Sequence, residues 1–447
     1  MKDASVSVLP PRPAAPPGRA FPRIAPSGDS SLVSDPFRRF AFYLALCLVF
    51  LRFSMLHEVL TYFTGRNTYI LYVFGPPAIL GMFLCGGVAR TMRGRPAFYW
   101  VGFTLLLFLA VPFSSWPGGS VKTVLAFGRS DFPMLFVVAG LTCTWDECKT
   151  IMRAIAVASL FGISLGRIFI DADQDRLALS FGTIANSNDY AGHLLLMLPF
   201  LLFVGFTTQK LIVRFVCIGA FLYGVALVLQ TGSRGAALAV VAGTLVFLVR
   251  GSTRQRIALM MLVPVGLIAL LVVLPESTRT RLMSFSQSES GVSQEALESS
   301  ESREYLLKQS IIFTFTHPVF GVGPGQFSSY EGGLRTEEGE RGSWHETHNS
   351  YTQISSECGI PAAVCYLAAM FTTFAMLNRF WHNARRLGNS EMITAAFCLM
   401  LALTSYCTAI TFLNFGYRFY LLAISGLVIA MTEVMAMTLR LESAKRR

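Results

Sequence analysis

Apolar runs long enough to cross a bilayer recur from Phe40 almost to the C-terminus of this 447-residue chain. Twelve can be marked, beginning at Phe40, Tyr69, Ala97, Phe132, Ile151, Asn188, Leu211, Gly235, Arg256, Gly359, Met392 and Gly416. Most run for about 17–22 residues, enough to span a hydrocarbon core of about 30 Å. Backbone amides in hydrocarbon must find partners within the segment, so these runs are expected to be helices. A barrel would alternate polarity, and neither Leu194–Phe203 nor Ile257–Leu274 does. The run from Phe132 to Trp145 is short and draws on Val121–Phe127 to complete a crossing. Charged residues make up 14% of the chain, whereas soluble domains carry about 25%. The expected fold class is all-α, a polytopic membrane helix bundle of about twelve transmembrane helices with one large loop, containing short helices, between spans nine and ten.

Five regions follow from the same pattern. Residues 1–35 are Pro-rich and weakly hydrophobic, and are expected to form a disordered tail. They do not resemble a cleavable signal peptide, because no apolar core precedes Phe40. Residues 36–274 hold spans one to nine, 275–358 the large loop, 359–438 spans ten to twelve, and 439–447 a basic tail.

The net charge of +11 invites a nucleic-acid reading, but its distribution argues against one. With the N-terminus in the cytoplasm, the inside loops carry Arg90, Arg93, Arg95, Lys149, Arg153, Lys210, Arg214, Arg250, Arg254, Arg256, Arg379, Arg385 and Arg386. The short outside loops carry only Arg66, Lys122, Arg129, Arg176, Arg234 and Arg418. This is the positive-inside asymmetry, and it puts both termini in the cytoplasm. Of nine cysteines, seven lie in or beside apolar spans, and there is no CxxC pair. Neither a disulfide framework nor a structural zinc site is expected.

The large loop is long for a connection, and such loops are usually functional or disordered. Ser284–Ser302 is rich in Ser, Glu and Gln and is expected to be mobile. Arg303–Phe315 places Leu306, Leu307, Ile311 and Phe315 at amphipathic-helix spacing. A glycine- and proline-rich turn follows from His317 to Phe327. It lacks the strand and helix that flank a nucleotide-binding loop. From His345 to Pro361 the chain re-enters the membrane, with Thr347 as the expected helix cap and His348 and Asn349 in the first turn. Tyr351 and Ser355 would share the face of His348.

The same topology puts three more polar clusters outside: Asp171–Gly192, Thr231–Ala236 and Asn414–Arg418. Arginine there runs against the positive-inside tendency. A guanidinium at the head-group level can fork onto phosphate oxygens. Arg176, Arg234 and Arg303 in one bundle mouth could hold a pyrophosphate without a metal. His348 could take a proton from a hydroxyl, since an unperturbed imidazole has a pKa of about 6.5. The bland alternatives are a snorkelling helix-end anchor for Arg234, solvated charges for Arg176 and Arg303, and a helix-start histidine bonded to backbone for His348. Asp171, Asp173 and Asp175 read as a solvated acidic turn in preference to a metal site, and the spacing of His345 and His348 is not that of a zinc pair.

At these residues the chain resembles the O-antigen ligase and Wzy-type polymerase family of bacterial membrane glycosyltransferases. The stretch from Arg176 through Asn188 to Pro199 is similar to the family's Arg…Gly…Asn…Ala…Leu-Pro segment. Thr231–Ala236 is similar to its Thr-x-Ser-Arg-Gly helix start. Arg303 and the glycine turn resemble a third segment. His348-Asn349, nine residues and Gly359 resemble the ligase motif, with Ala362 where Gly, Thr or Tyr is usual. The resemblance covers about Arg176 to Leu421.

It implies a GT-C-like enzyme of the bacterial inner membrane whose active face is periplasmic. The implied reaction is an inverting, metal-independent transfer that needs no cofactor. The implied donor is a glycan on undecaprenyl pyrophosphate. The implied acceptor is a hydroxyl of lipid A core or of another lipid-linked repeat unit. By position, His348, Arg234 and Arg176 would be the catalytic set. Arg303, Asn349, Asn188 and Ser233 would contact substrate, with Asn188 and the Gly-Pro turn also acting as supports. The bilayer is the other partner, and nucleic acid is not one. A glycolipid transporter and an envelope-assembly scaffold compete with this reading. A transporter would place polar sites near the midplane in repeated halves.

Overall fold

The computed structural model describes residues 35–169, 177–253, 256–257, 260–261, 294–337, 339 and 344–445. Among them every regular element is a helix: α1 (Pro36–Ser54), α2 (Leu56–Thr64), α3 (Ile70–Leu84), α4 (Gly87–Thr91), α5 (Arg95–Ala110), α6 (Pro117–Ala126), α7 (Pro133–Leu141), α8 (Trp145–Ile168), α9 (Ser187–Thr207), α10 (Leu211–Gln230), α11 (Arg234–Arg250), α12 (Gln294–Thr316), α13 (Phe327–Glu337), α14 (Ser350–Arg386), α15 (Ser390–Ala409) and α16 (Tyr420–Lys445). The expected tail 1–35, apart from Asp35, and most of Ser284–Ser302 lie outside the described residues.

Local chemistry sets the helix starts. Pro36, Pro96, Pro117 and Pro133 stand in first turns, where the missing N–H has no intrahelical partner to lose. Asp35, Asn186, Ser233, Asn349 and Asn389 cap by side-chain oxygen, and Thr144 forms a reciprocal capping box with Glu147.

Among the described residues, eight segments are long and apolar enough to cross a membrane, or nine if α1 and α2, bent by 68°, count as one span. The protein is therefore a polytopic helical membrane protein. The short fourth run is completed as anticipated: α6 and α7 join through a π-helical turn at Phe127–Asp131 into one segment, Pro117–Leu141. Of the other expected spans, that at Tyr69 corresponds to α3, with 15 residues, and that at Gly235 to α11, with 17. The span expected from Arg256 falls almost wholly outside the described residues.

Helices α9, α15 and α16 form the enclosed centre, and α10 lies at the rim. In lipid, helices associate through close packing and hydrogen bonds rather than through exclusion of water. The backbones of α4 and α7 meet at Gly87 and Gly140, where an added Cβ on Gly140 would lie 2.9 Å from the Gly87 Cα. Ser425 of α16 accepts from the Trp100 indole of α5 at 3.0 Å and meets the Thr373 hydroxyl of α14 at 3.0 Å. Lys149 and Arg250, both assigned to inside loops, lie at one end. There Lys149 pairs with Asp146 (2.9 Å) and Glu391 (3.3 Å), and Arg250 bonds Asn378 (3.0 Å) and lies over the Trp381 ring.

The described part of the large loop packs against the other end. Helix α12 buries Leu306 and Phe313 in a small core with Val322 and Phe327. Ile311 and Phe315, expected on the same face as Leu306, are instead exposed, Phe315 by 71%. The helix is turned so that Ser310 and Thr314 face inward, with the Thr314 hydroxyl 2.8 Å from that of Ser355.

Candidate functional site

Helix α14 is broken at Gly359, whose φ of 84° and ψ of 172° only glycine adopts readily. The break frees the last groups of its first segment to hold the glycine-rich turn. Val322 and Gly323 donate their N–H groups to the carbonyls of Ser356 and Glu357, both at 2.9 Å, and Ile360 donates to Pro318 at 2.8 Å. The buried Glu357 carboxylate accepts from Gly325 N (3.0 Å), Phe327 N (3.2 Å) and the Tyr417 hydroxyl (2.6 Å). A Cβ on Gly359 would stand 2.3 Å from the Val319 carbonyl oxygen. The amides of the turn are thus committed to the protein, in keeping with its reading as a support and not a nucleotide loop.

The start of α14 corrects one expectation. Asn349, not Thr347, is the cap: its Oδ1 accepts from Tyr351 N (2.9 Å) and Thr352 N (3.2 Å). Thr347 instead donates to Asn414 Oδ1 at 3.0 Å. His348 precedes the helix in a left-handed conformation, φ 51°, so it does not share a helical face with Tyr351 and Ser355.

Three helix starts meet around the segment between α15 and α16. From α14, the Ser350 hydroxyl donates to Leu413 O and accepts from Phe415 N, both at 2.8 Å, while Gln353 Oε1 accepts from Gly416 N at 3.1 Å. Asn414 also donates to the Glu346 carboxylate. From α11, Gly235 lies so close to Phe412 that a Cβ would stand 2.5 Å from its ring. Ser233 Oγ caps this helix by accepting from Ala236 N at 3.3 Å. From α9, a Cβ on Gly192 would stand 2.4 Å from Leu413, and Asn188 lies one turn further toward the mouth.

Asn188, Ser233, Arg234, His348 and Asn349 therefore occupy one end of the bundle, opposite the basic end. Asn188 and Ser233 are buried, and Arg234, His348 and Asn349 are half-buried. Arg303, on α12, brings its charge within reach of His348. Arg176 and the Asp171, Asp173 and Asp175 cluster lie outside the described residues. Burial pushes the His348 imidazole down to about 4, and the positive charges of Arg303 and His345 push the same way. At neutral pH the ring is uncharged and able to accept a proton.

The sequence reading left other groups at this end unassigned. Arg418 was noted only as an outside charge. Glu357 lay unmarked between a cysteine and a serine, and Asp189 follows Asn188 in α9. Arg52 lies within the first apolar run. Its partner is Asp131, at 2.5 Å, and its guanidinium lies 4.2 Å from the centre of the Phe419 ring.

Membrane-spanning helices with arginine, histidine and amide side chains gathered at one end define a polytopic membrane protein with a candidate site there. Residues 218–367, from within α10 to just past the break in α14, match the family model described as O-antigen ligase. Over that stretch the chain resembles the O-antigen ligase family, and the match supports a membrane enzyme of the ligase or polymerase type. A comparison with curated proteins gave no match.

Proposed function

We propose that the protein transfers a glycan from undecaprenyl pyrophosphate to a hydroxyl acceptor at this mouth, which faces the periplasm. Both termini then lie in the cytoplasm, and the bilayer is the inner membrane. The acceptor is lipid A core for a ligase, or another lipid-linked repeat unit for a polymerase. The acceptor oxygen attacks the anomeric carbon from the face opposite the carrier, giving inversion. The bond from that carbon to the diphosphate oxygen breaks, and the electron pair leaves with the diphosphate. Neutral His348 takes the hydroxyl proton. Arg234 and Arg176, with Arg303 as a second-line ligand, offset the charge that develops on the leaving diphosphate, the role a metal fills elsewhere. Asn349, Asn188 and Ser233 are proposed to contact the substrate or hold the first turns in register.

One observation carries the reading: the turns bearing Arg234 and His348 flank a single short segment, through Phe412 and Asn414 respectively. This gathering at helix starts also favours an enzyme over a transporter with a midplane site. The test is complementation of a deletion strain with Arg234→Ala or His348→Ala, followed by gel analysis of surface glycans. Both variants are expected to insert and to abolish transfer. Full polymer display by both would defeat the proposal. In the deletion strain itself, polymer left on the carrier lipid identifies a ligase, and a single repeat unit on the acceptor identifies a polymerase.

A further inference from the structure

Resting on that function, we infer that Arg418 is a further ligand of the diphosphate, positioned from within the membrane by the ion pair of Asp131 and Arg52. Arg418 belongs to the segment on which the three helix starts converge, and its backbone N–H is bonded to Phe415 O at 3.1 Å. The half-buried guanidinium makes no ion pair or side-chain hydrogen bond among the described residues, and it lies 5.6 Å from the centre of the Phe415 ring. Asp189 and Asp131 lie close enough to feel its charge but form no ion pair with it; Asp131 is engaged by Arg52 and the Phe419 amide, and Glu346 by Asn414. A guanidinium partly withdrawn from water with its donors unspent favours an anionic partner, and a diphosphate offers oxygens at fork spacing.

The next residue shows how the position is fixed. Phe419 N donates to Asp131 Oδ1 at 3.1 Å, the oxygen that also accepts from Arg52 Nη2 at 2.5 Å. The Arg52 guanidinium then stacks on the Phe419 ring. An ion pair between α1 and the π-helical turn thus anchors the backbone beside Arg418 at two points, an amide and a ring. Charge inside a membrane is costly and is usually retained for a role. Asp131 and Arg52 touch no substrate and are positioning residues.

The test uses the full chain in lipid nanodiscs, with binding of undecaprenyl diphosphate and undecaprenyl monophosphate measured separately. Loss of one charge-assisted contact predicts about tenfold weaker diphosphate binding for Arg418→Ala, with a smaller loss for the monophosphate. Arg418→Lys should recover part of the loss, since a point charge replaces the fork. Arg418→Gln carries the test if the alanine variant fails to fold. Asp131→Asn keeps an oxygen for the Phe419 amide, removes the charge, and should lower the preference for diphosphate over monophosphate. Wild-type binding by Arg418→Ala or Arg418→Gln, or an unchanged preference in Asp131→Asn, would overturn the inference. If Arg234→Ala still abolishes binding, the proposed function survives that failure. If Arg234→Ala also binds normally, both fall together.

Discussion

His348 concentrates the chemistry of the site, and its environment makes specific demands on pH. Its folded-state pKa of about 4 lies below the unfolded value of about 6.5. Below pH 6.5 the unfolded chain therefore binds more protons at this position. Its contribution to stability falls as pH drops from about 6.5 to about 4 and is flat on either side. Thermal melts of His348→Gln across that range are expected to fall less steeply with acid than those of the wild type. The neutral base persists well below pH 6.5, so transfer should lack an acid limb near 6.5 and show one near 4. Arg303→Ala removes one of the charges that hold the value down, and the limb should move upward. A wild-type limb at 6.5, unmoved in Arg303→Ala, would show that His348 is not the titrating base.

At the scale of elements, the break in α14 and the turn stapled to it form one unit. Gly359→Ala forces a side chain into a glycine-only conformation, costing about 1–3 kcal/mol before its contact with the Val319 carbonyl is counted. The variant is expected to melt lower in detergent and to lose activity; wild-type melting would contradict the stapled arrangement. Glu357→Ala leaves the Gly325 and Phe327 amides and the Tyr417 hydroxyl without their acceptor, and a buried donor so stranded costs about 1–3 kcal/mol. Faster amide exchange across Gly323–Phe327 is the expected signature. The amphipathic helix was legible in its spacing, whereas Gly359 was read only as the start of the tenth span and not as a break within one helix. The capping residue was not legible, because Thr347 and Asn349 satisfy the same local rule. Asn414, a distant residue, engages the threonine and leaves the cap to the asparagine. The buried face of α12 was misread for a similar reason: Leu306 and Phe313 pack on Val322 and Phe327, contacts that helical spacing alone cannot select.

For the molecule as a whole, hydropathy was the most legible property. Each apolar run that falls within the described residues became a helix, since hydrocarbon leaves the backbone little alternative. The helices α3 and α11 came out short, because where a crossing ends depends on neighbours that a run of letters does not display. The pairing of Arg52 with Asp131 was hidden altogether, because two charges so far apart in sequence carry no local sign of each other. What hydropathy and loop charge did suggest was sidedness: basic residues at one end, and arginine, histidine and amide clusters at the other. The direct measurement is labelling in intact cells with a membrane-impermeant maleimide, using Arg234→Cys, His348→Cys and Lys149→Cys, each in a cysteine-free background. Positions 234 and 348 are expected to label from outside without permeabilising the inner membrane, and position 149 only after it. Labelling of 234 and 348 from opposite sides would contradict a shared mouth and the chemistry built on it.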